Sequence, residues 1–246
     1  MVKSIIMVEA LKTDATSLMF PSELGGWLAP NEGTLLYQLA RKNRELGVVV
    51  ELGSYHGKST ICLAQGVQNI NDGKVYAVDG FKGNRYADDG DFLSKFMQNV
   101  AAYGVGNSVN PIRGDFLEVA KTWNKPIRLL FMDGSHQYED VKRDFDVWER
   151  HVVMGGVIAF HDSLNSPGVT RFIIETMRSG RFKQCETLNS KSGLTYLVKA
   201  KPEETVSDSN ISTSIDKLNA LARKKVLPRF ASGVAEKITL LNRRFK

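Results

Sequence analysis

The chain holds only two cysteines in 246 residues, Cys62 and Cys185, and their separation matches no zinc or redox spacing. A disulfide framework is therefore excluded, and a reducing compartment is the plain expectation. No apolar run approaches the roughly 18 residues that a membrane-spanning helix needs. Glu9, Lys12 and Asp14 interrupt the segment where a signal peptide would be apolar. These absences together predict a cytoplasmic protein. Internal repeats and low-complexity tracts are missing too. The body is also short of net charge: from Lys201 onward ten Lys/Arg face five Asp/Glu, so the last 46 residues carry +5 of the total +6. A nearly neutral body argues against a nucleic-acid binder. What remains, at 42% hydrophobic and 24% charged, is an ordinary globular composition, long enough to cover a full sheet on both faces.

Two nucleotide signatures are absent as well. Val48 to Leu52 form a β-branched run containing Glu51, followed by glycines at 53 and 57 and a helix-compatible stretch from Ser59. That is strand, tight turn and helix, the opening of a βαβ unit. A phosphate-cradling P-loop needs GxxxxGK[ST]; Gly57, Lys58 and Ser59 fit its end, but Leu52 stands where its first glycine belongs. The dinucleotide pattern GxGxxG fails because position 55 is Tyr. The pattern present is an acid, one residue, a glycine, three residues and a glycine. With Glu51 at the mouth it suits a ligand carrying an ammonium and a sulfonium, namely S-adenosylmethionine. A P-loop-like nucleotide site, with Lys58 on the phosphates and Leu129 to Asp133 as its second half, is the rival reading.

The remaining elements follow in order. Phe20 to Pro30 is rich in turn formers and contains Trp27, read either as a packing loop or as a flap over a pocket. Asn31 is expected to cap a helix running to Leu46. Strands are expected at Val48–Leu52, Lys74–Asp79, Val109–Arg113, Ile127–Asp133 and Met154–Asp162. Helices are expected at Ser59–Asn69, Asp91–Tyr103, after Asp133 through Arg150, and at Val169–Met177. The stretch from Lys82 to Gly90 reads as a loop. Phe182–Leu188 and Leu194–Lys199 read as an antiparallel hairpin. Such alternation predicts a doubly wound, Rossmann-like α/β fold, its mostly parallel sheet bearing an antiparallel edge strand. Ligands on these sheets sit at the carboxyl ends of the strands. Glu51, Asp79, Asp115, Asp133 and Asp162 all fall on that rim.

Glu51-x-Gly53-x-x-x-Gly57, Asp79, Gly114-Asp115, Asp133-Gly-Ser-His136-x-Tyr138 and Gly155-Gly156 with His161-Asp162 stand in one order and spacing. In these motifs residues 20–200 resemble a class I S-adenosylmethionine-dependent methyltransferase, closest to the small-molecule O-methyltransferases. The resemblance implies a seven-stranded sheet. It implies cofactor contacts from Glu51, Gly53, Ser54, Tyr55, Gly57 and Ser59, from Asp79, Gly80 and Phe81, from Asp115 and Phe116, and from Asp133. Residue by residue the alternatives stay open. Asp79 can cap a turn, Asp115 a helix, and His136 the helix after it; His161 can be a buried structural histidine.

Strands four and five should be neighbours about 4.8 Å apart, so Asp133 and Asp162 are candidate ligands for Mg²⁺. His136 titrates near neutrality and is the candidate general base, with Asp133 beside it. In the metal-dependent relatives that this chain resembles, Asn or Asp follows the strand-five aspartate; here it is Ser163. Strand alternation should aim His161 away from Asp162. The expected activity is methyl transfer to a hydroxyl of a sugar- or phenol-like small molecule. Metal-free transfer to N or O, or a non-catalytic binding module, are the other readings. The chain is expected to divide into an N-terminal flap and helix over 1–46, a methyltransferase domain over 47–200 and a basic helical tail over 201–246. That tail, with stripes around Leu218 and Ile238, should pack on its own domain or a sister subunit; contact with a membrane surface is the lesser alternative. A homo-oligomer is expected.

Overall fold

The computed structural model describes residues 17–71, 73–82 and 92–243, without the side chains of Gln184 and of 226–243. Seven strands form one sheet: β1 (Val48–Leu52), β2 (Val75–Asp79), β3 (Val109–Arg113), β4 (Ile127–Met132), β5 (Val152–Phe160), β6 (Phe182–Leu188) and β7 (Leu194–Lys199). Their order is β3-β2-β1-β4-β5-β7-β6. Pairing is parallel from β3 through β5 and antiparallel on both sides of β7. The expected reversal is thus carried by β7, one place in from the rim. The tight β6–β7 hairpin forces it there: β7 must run against β6, and it takes the free edge of β5.

Helices α1 (Pro30–Ala40), α2 (Lys58–Asn69), α3 (Phe92–Ala102), α4 (Phe116–Thr122), α5 (Tyr138–Trp148), α6 (Pro167–Arg178) and α7 (Asp208–Arg243) cover the sheet. Successive strand residues point to opposite faces, and the core splits accordingly. Val49, Leu129 and Phe131 face Leu36, Leu39, Ile61 and Leu63 of α1 and α2. Val50, Leu52, Leu130 and Met132 face Phe145, Trp148 and Ile173 of α5 and α6. On this alternation Glu51 shares the α2 side of β1 with Val49.

Several expected boundaries move. The N-cap of α1 is Ala29, not Asn31, because Pro30 opens the helix and Glu32 reaches back to accept from the Ala29 N–H at 2.7 Å. The helix ends at Ala40 rather than Leu46, since Asn43 is left-handed (φ 52°) and only a short turn, Arg44–Leu46, follows. In the tail, the backbone of α7 runs on through Pro228. Ile211, Ile215, Leu218 and Ala222 of α7 are buried against the second core layer. The loop expected up to Gly90 lies, beyond Lys82, outside the described residues, as do residues 1–16 of the N-terminal segment and the side chains around Ile238. Among the described residues no helix is long and apolar enough to cross a membrane.

Arg128 anchors α1 to the sheet. Pairing shifts register at this residue on both sides of β4, a bulge that re-aims one side chain. Its Nε donates to Gly47 O at 2.9 Å, and Nη1 donates to Ala40 O and Lys42 O at 2.6 and 2.7 Å. The side chain is buried. Arg128→Met should therefore leave carbonyls unpaired and cost about 2–4 kcal/mol. A urea midpoint equal to the wild type's would show that this tie contributes nothing.

Candidate functional site

The turn after β1 is shaped by its glycines. Gly53 has φ 90°, and a Cβ there would lie 2.2 Å from the Asp133 carbonyl oxygen, so no other residue lets the turn pass this close to β4. Gly57 has φ 89° as the N-cap of α2, and its added Cβ would press on Phe96 at 3.1 Å. Phe96, not a ligand, therefore occupies the space opened at Gly57. Asp79 at the end of β2 fixes the same turn. Its Oδ2 accepts from the N–H groups of Ser54 and Tyr55 at 2.7 and 2.9 Å, and Oδ1 accepts from Phe81 N–H at 2.6 Å. A carboxylate offers about four lone-pair sites, so one acceptor position is left on Oδ1.

A cavity of about 910 Å³ lies over the strand ends, within the size range of ligand sites. Gly53, Ser54, Tyr55, Ser59 and Asp79 line one part; Phe116, Asp133, His136 and Asp162 line another. Other predicted residues do not reach it. Glu51 is fully buried beneath the turn, where Oε2 accepts from the Ser54 hydroxyl at 2.8 Å and from the Thr60 hydroxyl, while Oε1 has no partner. Burial, only partly offset by the hydroxyls of Ser59, Thr60 and Ser54, pushes its carboxyl up to about 7. Gly80 and Phe81 lie outside the lining, Phe81 being buried against Phe96. Asp115 caps α4, accepting from Leu117 and Glu118 N–H at 2.9 and 3.3 Å, and is exposed.

The second part of the cavity is electrostatically dense. His136 Nε2 stands 2.9 Å from Asp162 Oδ2. His161 Nδ1 stands 3.2 Å from Asp133 Oδ1 and 3.3 Å from Asp162 Oδ2, and its Nε2 stands 3.2 Å from Glu32 Oε2. The expectation that His161 turns away from Asp162 is overturned. Strand β5 ends at Phe160, and Asp162 takes a left-handed φ of 55° that breaks the alternation. Burial acts to lower the His161 pKa, but Asp133, Asp162 and Glu32 outweigh it and hold the ring well above its ordinary value. Burial likewise acts to raise Asp162, and the two imidazoles outweigh it, keeping this carboxyl far below its usual range. The hydrogen bond to Asp162 lifts His136 above the ordinary imidazole value.

Asp133, His136 and Asp162 each offer one ligand atom, all within 4.8 Å of one another, the one such group among the described residues. Two carboxylates and an imidazole fit a divalent cation. Ser163 is not part of that set: its Oγ accepts from the Thr195 hydroxyl at 2.8 Å. Sequence reasoning missed Glu32, gave Lys58 a role only in the rival phosphate site, and assigned no chemistry to Asn165 and Ser192; these last three line the cavity with Trp27. The capping pair of Ala29 and Glu32 was the available signal for the first.

A strand order of 3-2-1-4-5-7-6 with strand 7 reversed, and a cavity over the carboxyl ends, make a Rossmann-like α/β fold. Residues 50–163, from β1 to the turn after β5, match the family model described as a methyltransferase domain. Over that stretch, just under half of its length, the chain is similar to a methyltransferase domain. Among curated proteins it is 30% identical over 119 residues to the uncharacterised protein y4gI of Sinorhizobium fredii, covering 47% of this chain and 13% of that protein. It is 27% identical over 117 residues to the uncharacterised protein R132 of Acanthamoeba polyphaga mimivirus, covering 46% and 50%. The match thus spans half or less of these relatives' lengths. Among solved structures it resembles an O-methyltransferase from Bacillus cereus in complex with SAH (TM-score 0.56, 17% identity, 79% of this chain and 91% of that one). It also resembles the O-methyltransferase TomG from Streptomyces achromogenes in complex with SAM (TM-score 0.54, 21% identity, 71% and 82%). At these identities the likeness is one of fold.

The His136–Asp162 contact makes a direct prediction. Asp162→Asn removes the charge that favours the imidazolium, so the His136 pKa should fall when followed by NMR titration. An unchanged value would mean that this contact does not set the ring's charge.

Proposed function

We propose that the domain transfers the methyl group of S-adenosylmethionine to a hydroxyl of a small, sugar- or phenol-like molecule, with His136 as general base. One observation carries the reading: a single cavity holds the Asp79-anchored glycine turn and the His136–Asp162 pair. When bound, S-adenosylmethionine supplies a methyl group already activated by its sulfonium. Asp79, with its remaining acceptor position, would take a ribose hydroxyl, and Ser54, Tyr55 and Ser59 would border the cofactor. Phe116 would line the adenine. Asp133 and the acids around His161 leave negative charge near the sulfonium. His136 Nε2–H donates to Asp162, which leaves Nδ1 to take the proton of the acceptor hydroxyl. Asn165, Ser166 and Ser192 supply hydrogen-bonding groups for that acceptor, and Trp27 with Gly25 and Gly26 forms its flap.

A divalent ion such as Mg²⁺ would be held by Asp133 and Asp162 and would acidify the acceptor. Metal-free transfer is favoured by a different observation: His161 Nδ1 already lies against both carboxylates. Turnover that survives chelation selects the second version. We further place the protein in the cytoplasm, as a homo-oligomer with no nucleic-acid partner.

Binding and transfer of radiolabelled methyl from S-adenosylmethionine across a panel of hydroxylated sugars and phenols tests the proposal. Asp79→Ala should remove cofactor binding. His136→Ala should keep binding and lower transfer about 100- to 10,000-fold. Because the base must be unprotonated, the wild-type rate should climb with pH through a midpoint above the ordinary imidazole value. No cofactor binding at saturation, or loss of ATP binding in Lys58→Ala, would favour the phosphate-binding reading instead.

A further inference from the structure

Glu32 sits in the first turn of α1, fully buried, far in sequence from every motif of the rim. A buried carboxylate is unfavourable unless it is paired and hydrogen-bonded, and this one is engaged at both oxygens. Oε2 accepts from the Ala29 N–H at 2.7 Å and stands 3.2 Å from His161 Nε2; Oε1 accepts from the Ser190 hydroxyl. Capping α1 alone would need only the first of these. From His161 the contacts continue through Nδ1 to Asp133 at 3.2 Å and Asp162 at 3.3 Å, and from Asp162 to His136 at 2.9 Å. With both ring nitrogens against carboxylates, the His161 imidazole cannot rotate without breaking a contact on each side. The two ends of the cavity border are tied to the same carboxylate. Ala29 follows the strip Gly25 to Leu28 that lines the cavity, and Ser190 accepts from Gly193 N–H at 3.0 Å beside the lining residue Ser192.

We propose that Glu32 is a positioning residue, fixing the His161 ring so that Asp162 is held at His136 and the Gly25–Leu28 strip is held over the same site. As a statement about catalysis this rests on the methyl-transfer reading; as a statement about geometry it does not. Metal-holding histidines are oriented in just this way by an outer carboxylate, and here the oriented ring serves two aspartates. Glu32 touches neither the cofactor turn nor Asp79, so its loss should act on the reaction centre and spare cofactor affinity.

The test uses the full chain at fixed pH with saturating S-adenosylhomocysteine. The chain has four histidines, so ring resonances are assigned with His56→Gln and His151→Gln. Glu32→Gln, which puts an amide donor where an acceptor stood, should move the ring resonances of both His161 and His136. Affinity for S-adenosylhomocysteine should stay within about threefold, as for sites that share no partner. Methyl transfer should fall about 10- to 100-fold, and Glu32→Asp should restore part of it. A merely structural role would lower the melting temperature without moving His136, and an unmoved His136 resonance overturns the proposal. Unchanged turnover in Glu32→Gln overturns it as well. Should Glu32→Gln not fold, Ser190→Ala removes only the donor on Oε1; it should move both rings by a smaller amount, and no movement overturns the proposal. If the wild type fails to bind S-adenosylhomocysteine, the methyl-transfer reading fails, and the ring resonances still decide whether Glu32 governs His136.

Discussion

The imidazole of His161, set between the carboxylates of Glu32, Asp133 and Asp162, is the interaction on which the site depends. Three acids close together in a low-dielectric space repel one another and pay for lost hydration. A cation among them turns that repulsion into cohesion. The ring joins α1 to the ends of β4 and β5, so the N-terminal helix closes onto the sheet at the point where the ligand space begins. Parallel pairing of β4 with β5 brings Asp133 and Asp162 to the same rim. The left-handed turn at Asp162 brings its side chain back toward His161 and His136.

The two sides of the cavity are built by different means. On the β1–β2 side the backbone does most of the work: Gly53 permits the close pass by Asp133, and Asp79 draws the Ser54 and Tyr55 amides toward itself. Glu51 supports that turn from below through Ser54 and Thr60 rather than facing the ligand. On the β4–β5 side the work is electrostatic, and His136 receives its orientation from Asp162. On the methyl-transfer reading proposed above, a positively charged methyl donor would meet the first half and an acceptor that must lose a proton the second.

Much of the fold was legible because its signals are local. Short stretches rich in β-branched and apolar residues, with an acid in or just after each, marked β1, β3 and β4 closely, and the turn at Ser190 to Gly193 separated β6 from β7 at the observed residues. Rim placement followed from topology, since parallel strands present their carboxyl ends together. Single-residue roles were less legible, because a cap and a ligand contact use the same residue types. Asp115 proved to be a cap, and Gly57 opens toward Phe96. Asn31 yielded its cap to Ala29 because Pro30 suits the first helical position. Glu32 was not legible at all: its partners lie 129 and 158 residues away, and no periodicity records such a contact. His161 was misjudged for a related reason, since alternation holds only while the strand lasts.

On the proposed reading, the strand-end rim binds an adenosyl thioether with its sulfur turned toward His136 and the acids around His161. A crystal structure of the full chain with S-adenosylhomocysteine tests this directly. The ribose is expected at Asp79 and the sulfur between the Gly53 turn and the His136–Asp162 pair. A ligand lying with its sulfur away from that pair, or a triphosphate occupying the glycine turn in its place, would contradict it.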